Sequence, residues 1–210
     1  MRLGGKGMNR GLIIDVETTG LDTRLDEIVE LAAVPFEYDA LRDRLVAIPG
    51  SYVGLREPSV RIGRQATAVH GITAAMVAGT ALDDDLVAHL LTQADFLVAH
   101  NAQFDFGFVT RAYPLASRRP WLCSLRHIDW ARHGHFVKNL SALAAGHRIA
   151  VPRAHRAAGD CQTLLHLLAC AGTDGRSYCA ELLTHLPATP PLQSRTPIRP
   201  PRPRHSRGNA

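Results

Sequence analysis

The chain has 210 residues, a length that predicts one α/β domain of ordinary size with a little chain left over. Hydrophobic residues make up 46% and charged residues 20%, so the composition excludes a chain that is disordered overall. The longest early apolar run, 12–14, ends at Asp15, and we therefore expect neither a membrane-spanning helix nor a secretory signal.

The net charge of +5 comes from the two ends of the chain. Residues 187–210 carry five arginines and residues 1–10 carry three basic residues, and neither segment contains an acid. The 16 basic and 19 acidic side chains that remain give residues 11–186 a net charge of −3. The central part is mildly acidic, which argues against a protein that coats nucleic acid through a broad basic face.

This distribution predicts a flexible extension at 1–10, a folded domain at 11–186 and a disordered Pro/Arg-rich tail at 187–210. The tail holds seven of the thirteen prolines and is interpreted as a tether to a partner, a weak nucleic-acid arm or a solvated end without a specific role. Met8 offers a second start of translation. Four scattered cysteines without a CxxC pair favour a reducing cytoplasm over a disulfide scaffold.

The hydrophobic pattern alternates between strand and helix periods along the central segment. Strands are predicted at 11–17, 27–36, 45–51, 96–99 and 121–124. Helices are predicted after a turn at 70–73 and at 83–93, 104–113, 140–145, 157–171 and 176–186. The first strand is apolar on both faces near its start, so we expect it in the centre of the sheet. The predicted fold class is α/β, with a central mixed five-stranded sheet flanked by helices.

The first predicted strand, in the run LIIDVETTG, ends with the acids Asp15 and Glu17. The two-residue period of a strand places both carboxylates on one face, where like charges raise each other's pKa unless a cation lies between them. Thr18, Thr19 and Gly20 then turn the chain away. The alternative interpretation is an ordinary polar strand end in front of a loop.

Two further acids fall on helix faces that should pack on the sheet. Asp105, in HNAQFDFGFV, and Asp160, in HRAAGD, lie on apolar stripes where an unpaired charge is costly, although Asp105 is also compatible with a first-turn acid that favours the helix dipole. His155 lies in the turn before the second helix and can point over the same site; a surface histidine is the plainer alternative. Four acids on inward faces of three elements favour a divalent-metal site.

These motifs resemble, in order and approximate separation, the three exonuclease motifs of the DEDDh superfamily. The resemblance is strongest to the DnaQ-like proofreading exonuclease domain of bacterial DNA polymerase III. It rests on DVETTG at 15–20, HNAQFD at 100–105 and HRAAGD at 155–160, extends to HGIT at 70–73 and covers about 11–171. A sister subclass has a tyrosine four residues before the last aspartate. Here that position is Arg156, and His155 indicates the histidine subclass.

The resemblance implies a ribonuclease H-like fold and a 3′-to-5′ exonuclease that releases 5′-mononucleotides from DNA. Its cofactors would be two divalent ions, Mg²⁺ or Mn²⁺. Asp15, Glu17 and Asp160 would hold the ion that activates the attacking water, with Asp105 near a second ion at the leaving 3′ oxygen. His155 would accept the proton of the water at neutral pH.

The resemblance also implies contacts with the terminal nucleotide of the substrate. The expected partner is DNA with a free 3′ end, single-stranded or frayed, and no membrane is involved. The residues assigned to the terminal nucleotide are Thr18, Thr19, Leu21, Val69, His70, Asn101 and Phe104. For the apolar members of this set, packing in the core is the alternative.

Three alternatives stay open at this point. RNA-trimming relatives share all five catalytic residues, so an exoribonuclease is the main rival, although Thr18 and Thr19 lean toward DNA. A stand-alone nuclease and a polymerase subunit tethered through the tail are both compatible with the sequence, which has no glutamine-led, leucine-rich segment of the kind that docks on a sliding clamp. A non-enzymatic nucleic-acid or polymerase-binding module is less favoured, because an acid is present at every position where the resemblance implies a metal ligand.

Overall fold

A computed structural model describes residues 8–150 and 155–187 of the chain. The tail beyond residue 187 and the first seven residues of the predicted extension lie outside this range. Residues 8–10 were expected to belong to that extension. They form the start of the first strand instead, because they pair in register with residues 37–39 of the second strand.

A six-stranded mixed sheet forms the centre of the described structure. Its strands are β1 (Met8–Thr18), β2 (Ile28–Asp39), β3 (Arg44–Ala47), β4 (Tyr52–Leu55), β5 (Phe96–Ala99) and β6 (Trp121–Cys123). The order across the sheet is β3-β2-β1-β5-β6, and β4 also pairs with β2. β1 and β2 are antiparallel, whereas β1, β5 and β6 are parallel. The carboxyl ends of these three parallel strands therefore meet at one edge of the sheet.

The prediction of a single strand at 45–51, and with it the five-stranded sheet, is wrong. Pro49 has no N–H to donate to a ladder, and Gly50 adopts a φ of 106°, so the strand cannot continue through these residues. β3 pairs with residues 36–39 at one end of β2. After the break, β4 pairs with residues 30–33 toward the other end of β2 and becomes the sixth strand.

The described residues contain eight α-helices and one 3-10 helix. They are α1 (Arg64–His70), α2 (Ala74–Val77), α3 (Asp84–Gln93), α4 (Ala102–Ala112), α5 (Ser124–His127), α6 (Leu140–Gly146), α7 (Ala157–Ala169) and α8 (Tyr178–Leu183), with the 3-10 helix at Pro114–Arg118. The helices predicted from periodicity are confirmed to within a few residues at their ends. The prediction lacked α1, α5 and the 3-10 helix. None of the helices in the described ranges is long and apolar enough to cross a membrane.

β1 separates two hydrophobic cores, which confirms its predicted central position. Ile13 points into the core that contains the apolar face of α7, whereas Leu12 and Ile14 point into the core formed with α3 and α4. All three side chains are buried. Because side chains alternate along a strand, Asp15 and Glu17 follow Ile13 on the α7 side of the sheet.

Gly11 allows β1 to approach the aromatic ring of Phe36 on β2. A Cβ atom at residue 11 would lie 2.1 Å from the ring of Phe36. The ring is fully buried and packs edge-on against Phe96, with 5.8 Å between the ring centroids. Phe36 therefore has little room to move aside.

We expect Gly11→Ala to lower the free energy of unfolding by about 1–3 kcal/mol, because the added methyl group overpacks this core. Urea unfolding followed by circular dichroism measures the change. In a Phe36→Leu background the same substitution should cost less, since the ring atoms that it meets are gone. An equal cost in both backgrounds would show that the ring contact is not the cause.

Candidate active site

Three acidic side chains converge at the carboxyl end of β1. Asp15, Glu17 and Asp160 each offer a carboxylate oxygen that lies within 4.8 Å of those of the other two. The first two alternate along β1, and Asp160 projects from the first turn of α7, whose apolar face packs on the same side of the sheet. The fold thus joins residues that are about 145 positions apart in the sequence, and it brings together three of the four predicted acids.

Asp105 lies beside this three-carboxylate group but is not a member of it. Its side chain is buried in the first turn of α4, and its Oδ1 accepts a hydrogen bond of 3.2 Å from the backbone N–H of Val16, the residue between Asp15 and Glu17. This bond ties the start of α4 to the end of β1. The negative charge of Asp105 also contributes to the raised pKa of Asp15, so the two carboxyls interact electrostatically.

Burial raises the pKa values of all four carboxyls, and repulsion by the other site acids adds to it at Asp15 and Glu17. Burial, the larger cause, and the neighbouring carboxylates raise the pKa of Glu17 to about 8, and burial raises that of Asp105 to about 7. The pKa of Asp15 is raised well above its ordinary value by burial and by the charges of the other three acids, and that of Asp160 is raised by burial. Several ionised carboxylates this close require a compensating cation. Their oxygen-only donor set fits hard ions such as Mg²⁺ and Mn²⁺.

His155 lies immediately before α7, exposed to solvent. Its φ of 56° places it in the left-handed region, which is uncommon for a residue other than glycine. The charge of a protonated His155 and a hydrogen bond from its backbone both lower the pKa of Asp160, against the larger opposite effect of burial. The histidine is therefore adjacent to the carboxylates, although its side chain points outward enough to meet solvent.

Glu30 of β2 is a buried acid that the sequence analysis did not select. It is 1% exposed and lies directly opposite Glu17 in the β1–β2 register. Its carboxylate accepts hydrogen bonds from the guanidinium of Arg156 and from the backbone N–H of Ala157. One signal in the sequence pointed to it, since Glu30 interrupts the otherwise apolar run IVELAAV of a strand that should be buried.

The two predicted substrate threonines, Thr18 and Thr19, are buried and bonded within the turn that follows β1. The hydroxyl of Thr18 donates to the carbonyl of Gly20 at 2.6 Å. The hydroxyl of Thr19 donates to Asp26 at 2.9 Å and accepts from the backbone N–H of Glu27 at 3.0 Å. In this arrangement both hydroxyls shape the turn, and a contact with a nucleotide would use the backbone or a rearranged hydroxyl.

Two predicted apolar contacts, Leu21 and Val69, are exposed near this turn. Leu21 is 83% exposed and Val69 is 57% exposed, so neither belongs to the core that was the alternative interpretation. His70, the residue after Val69, is buried. Its Nδ1 accepts the N–H of Ile72 at 2.9 Å, which leaves the proton on Nε2 to be donated to the carbonyl of Thr18 at 3.1 Å. His70 therefore fixes the end of α1 against the turn.

The remaining predicted contacts, Asn101 and Phe104, lie at the start of α4. Asn101 is exposed and has a left-handed φ of 70°. Phe104 is half-buried and packs against Phe108, with 5.0 Å between the ring centroids. Both therefore lie at the same edge of the sheet as Asp105 and the three-carboxylate group.

A mixed sheet flanked by helices, with clustered carboxylates at the carboxyl end of its central strand, is an arrangement that suits a metal-dependent α/β enzyme. The comparison with known families makes this specific. The model of the exonuclease family named after RNase T matches residues 12–168, and the chain belongs to this family.

Several similar curated proteins are DNA polymerases III of the PolC type. The PolC-type DNA polymerase III of Listeria monocytogenes is 30% identical over 161 residues, which cover 74% of this chain and 11% of the relative. The PolC-type enzyme of Thermotoga petrophila is 31% identical over 123 residues, which cover 58% and 8% of the two chains. The chain therefore spans only about a tenth of the length of these relatives.

Two solved structures bear on the fold. A structure of exonuclease X in complex with 5′ overhanging duplex DNA is 31% identical, with a TM-score of 0.53, and the match covers 76% of this chain and 89% of that chain. Exonuclease I of E. coli in complex with a dT13 oligonucleotide is 17% identical with a TM-score of 0.62, over 77% and 40% of the chains, and shows the fold alone. The predicted ribonuclease H-like fold and DnaQ-like family are confirmed.

The raised carboxyl pKa values predict how stability depends on pH without metal. A group whose pKa is higher in the folded state favours folding at low pH, and this contribution is lost as the pH rises through the folded value. With Glu17 near 8 and Asp105 near 7, the melting temperature in EDTA should fall between pH 6 and pH 8.5. Added Mn²⁺ should raise the melting temperature more at pH 8 than at pH 6.

The matched control is Asp15→Asn/Glu17→Gln, which keeps the shape of the site and removes two of its charges. Thermal unfolding of both proteins across this pH range isolates the contribution of the cluster from that of the histidines. The expected fall with pH should be smaller in the control. An identical pH profile for the two proteins would contradict the assignment.

Proposed function

We propose that this chain is a metal-dependent 3′-to-5′ exonuclease that hydrolyses phosphodiester bonds at the 3′ end of DNA and releases 5′-mononucleotides. The observation that carries the proposal is the three-carboxylate group of Asp15, Glu17 and Asp160, with His155 beside it, in a chain of the exonuclease family. DNA as the substrate is supported by the polymerase relatives and by the DNA complex of the similar exonuclease X.

The metal ligands in this proposal are the four acids. Asp15, Glu17 and Asp160 would hold one ion and Asp105 would lie near a second, and both Mg²⁺ and Mn²⁺ suit their oxygen atoms. Bound divalent ions supply a Lewis acid for the phosphate oxygens and make a bound water more acidic. The protein contributes a frame for the ions, because Asp15 and Glu17 are paired with β2 and Asp105 is fixed to the N–H of Val16.

His155 is the proposed general base. A ring nitrogen of its imidazole can accept a proton from water, as general bases in hydrolysis do. Its exposure allows the proton to pass on to solvent after each cycle. The effect of its charge and of its backbone hydrogen bond on Asp160 supports a place for it beside the three-carboxylate group.

The proposed substrate surface surrounds the turn after β1. Leu21 and Val69 offer exposed apolar side chains to the terminal base, and Asn101 and Phe104 border the site from α4. The backbone of Thr18 and Thr19 would approach the terminal nucleotide from the turn. A frayed or single-stranded end suits this surface, because a base must leave its stack to lie against these side chains.

The wider setting is also a proposal. The role of the Pro/Arg-rich tail as a tether to a DNA polymerase concerns residues outside the described ranges. A reducing cytoplasm remains the expected location. Proofreading, repair and turnover all use the same hydrolysis at a 3′ end, so the reaction is the first point to test.

The experiment offers the purified chain 3′- and 5′-labelled single-stranded DNA, matched and mismatched duplexes and RNA, with Mg²⁺, Mn²⁺ or EDTA. We expect stepwise shortening from the 3′ end of DNA that EDTA abolishes. No product with any metal would overturn the proposal and favour a binding module. Faster shortening of RNA than of DNA would assign the chain to the RNA-trimming branch.

His155→Ala should lower kcat by about 100-fold or more in Mg²⁺, because a positioned general base contributes a factor of this order. The matched control is His166→Ala, since His166 lies on the exposed side of α7. It should retain the activity of the unsubstituted chain. Near-normal hydrolysis by the His155 variant would exclude this residue as the base.

A further inference from the structure

Glu30 is an acid that lies beside the three-carboxylate group but forms its hydrogen bonds with other residues. It lies opposite Glu17 in the β1–β2 register, and directly paired residues of antiparallel strands project to the same face. Its side chain is 2% exposed. It is not one of the acids whose oxygens approach one another within 4.8 Å. Its oxygens accept hydrogen bonds from the residues that begin α7.

The contact between Glu30 and Arg156 is bidentate, because the guanidinium bonds both carboxylate oxygens. The Nε atom of Arg156 donates to Oε1 at 3.1 Å and to Oε2 at 3.0 Å, and Nη2 donates to Oε1 as well. Oε2 also accepts the backbone N–H of Ala157 at 2.9 Å. Arg156 is the N-cap residue of α7 and offers no capping hydrogen bond from its own side chain, so Glu30 serves as the cap from across the sheet.

This contact differs from the other ion pairs of the described residues. Its carboxylate is the most buried among them, whereas the pair of Arg132 and Asp174, for example, has side chains that are 54% and 37% exposed. A planar guanidinium that bonds both oxygens of a buried carboxylate fixes direction as well as distance. The start of α7 is therefore fixed to β2 at one definite position.

The residue before this anchor is His155, and its backbone is strained. A left-handed φ in a residue with a Cβ atom costs roughly 1 kcal/mol or more and persists only where neighbouring contacts enforce it. Arg156, the next residue, is held by Glu30, whereas the His155 side chain is exposed. The anchor at Arg156 thus acts together with the hydrogen bond from the His155 backbone to Asp160 in limiting where the imidazole can lie.

We propose that Glu30 and Arg156 are positioning residues that hold His155 over the three-carboxylate group. This inference rests on the proposed function, in which His155 accepts the proton of the attacking water. Asp160 does not depend on the anchor in the same way. It lies one turn inside α7, where the buried side chains of Cys161, Leu164 and Leu165 fix the helix to the core.

The principal variant is Glu30→Gln/Arg156→Met. It removes both charges together, so no unpaired charge remains buried, and the amide oxygen can still accept the N–H of Ala157. We expect its melting temperature to stay close to that of the unsubstituted chain. The control is Arg132→Met/Asp174→Asn, which deletes an exposed pair. Arg156→Lys is a second variant that keeps the positive charge but not the bidentate contact.

The expected result is a fall in kcat of about 10- to 100-fold in the principal variant, with KM little changed, because a misplaced base slows the chemical step. The control should retain full activity, and Arg156→Lys should fall between the two. In a His155→Ala background the principal variant should add little further loss, since its effect passes through His155. The affinity for Mn²⁺ measured by calorimetry without substrate should be preserved.

Two outcomes would overturn the inference. Losses that multiply fully in the His155→Ala background would show that the pair acts independently of His155. A loss of Mn²⁺ affinity parallel to the loss of kcat would show that the pair supports the metal ligands instead.

A spectroscopic readout separates this inference from the proposed function. The imidazole NMR signal of His155, assigned by its disappearance in His155→Ala, should shift and broaden in the principal variant but not in the control. This result is expected even from a chain that hydrolyses nothing. An unchanged His155 signal would overturn the positioning role, whereas a chain without hydrolysis would overturn only the proposed function.

Discussion

Repulsion between carboxylates at the end of β1 is the constraint on which the rest of the structure depends. Asp15, Glu17, Asp105 and Asp160 lie close enough to raise pKa values, and burial removes the water that would screen them. An isolated strand would relieve this repulsion by bending or fraying. Here the end of β1 is paired with β2 on one side, is bonded to Asp105 through the N–H of Val16, and continues a strand that is covered on both faces, so movement of the strand is opposed.

The neighbouring elements meet this constraint in different ways. α4 contributes Asp105 together with its bond to the backbone of β1, and α7 contributes Asp160 on a helix whose apolar stripe is buried. β2 contributes a fifth acid, Glu30, that is neutralised by its own arginine. The negative charge left over lies on the four acids of the site, where a divalent cation offers the compensation that the protein does not provide.

Elements of ordinary length and the site acids could be predicted from the sequence, because each left a local signal. The two-residue period of the strand placed Asp15 and Glu17 on one face, and the helical period placed Asp105 and Asp160 on stripes of otherwise apolar residues. α1 was missed, and only one of its residues, His70, is buried, so no apolar stripe marked the helix in the sequence. The division of the third strand did have a local cause, Pro49 and Gly50, which the prediction passed over in favour of a continuous β-like run.

Contacts between residues far apart in the sequence could not be predicted, for a physical reason. Glu30 and Arg156 are separated by 126 positions, and their contact depends on the register of β2 against β1 and on the docking of α7. Local patterns in one sequence reveal neither the register of the two strands nor the docking of the helix. The same holds for His70, which was predicted to contact the terminal nucleotide. Its ring donates a hydrogen bond to the carbonyl of Thr18, 52 positions away, and so holds the turn after β1.

The position of the site between a central strand and the first turn of a helix has a consequence for local opening. Both edges of β1 are paired at residues 11–13, so we expect the amide hydrogens there to exchange slowly, and the pairing with β2 continues as far as Thr18. Helix ends fray at far lower cost. At the start of α7 this fraying is opposed by the contact of Glu30 with Arg156 and by the buried side chains of the first turns. Both halves of the site are therefore held in place by contacts within the protein, and we expect slow amide exchange at this helix end even without a bound ion.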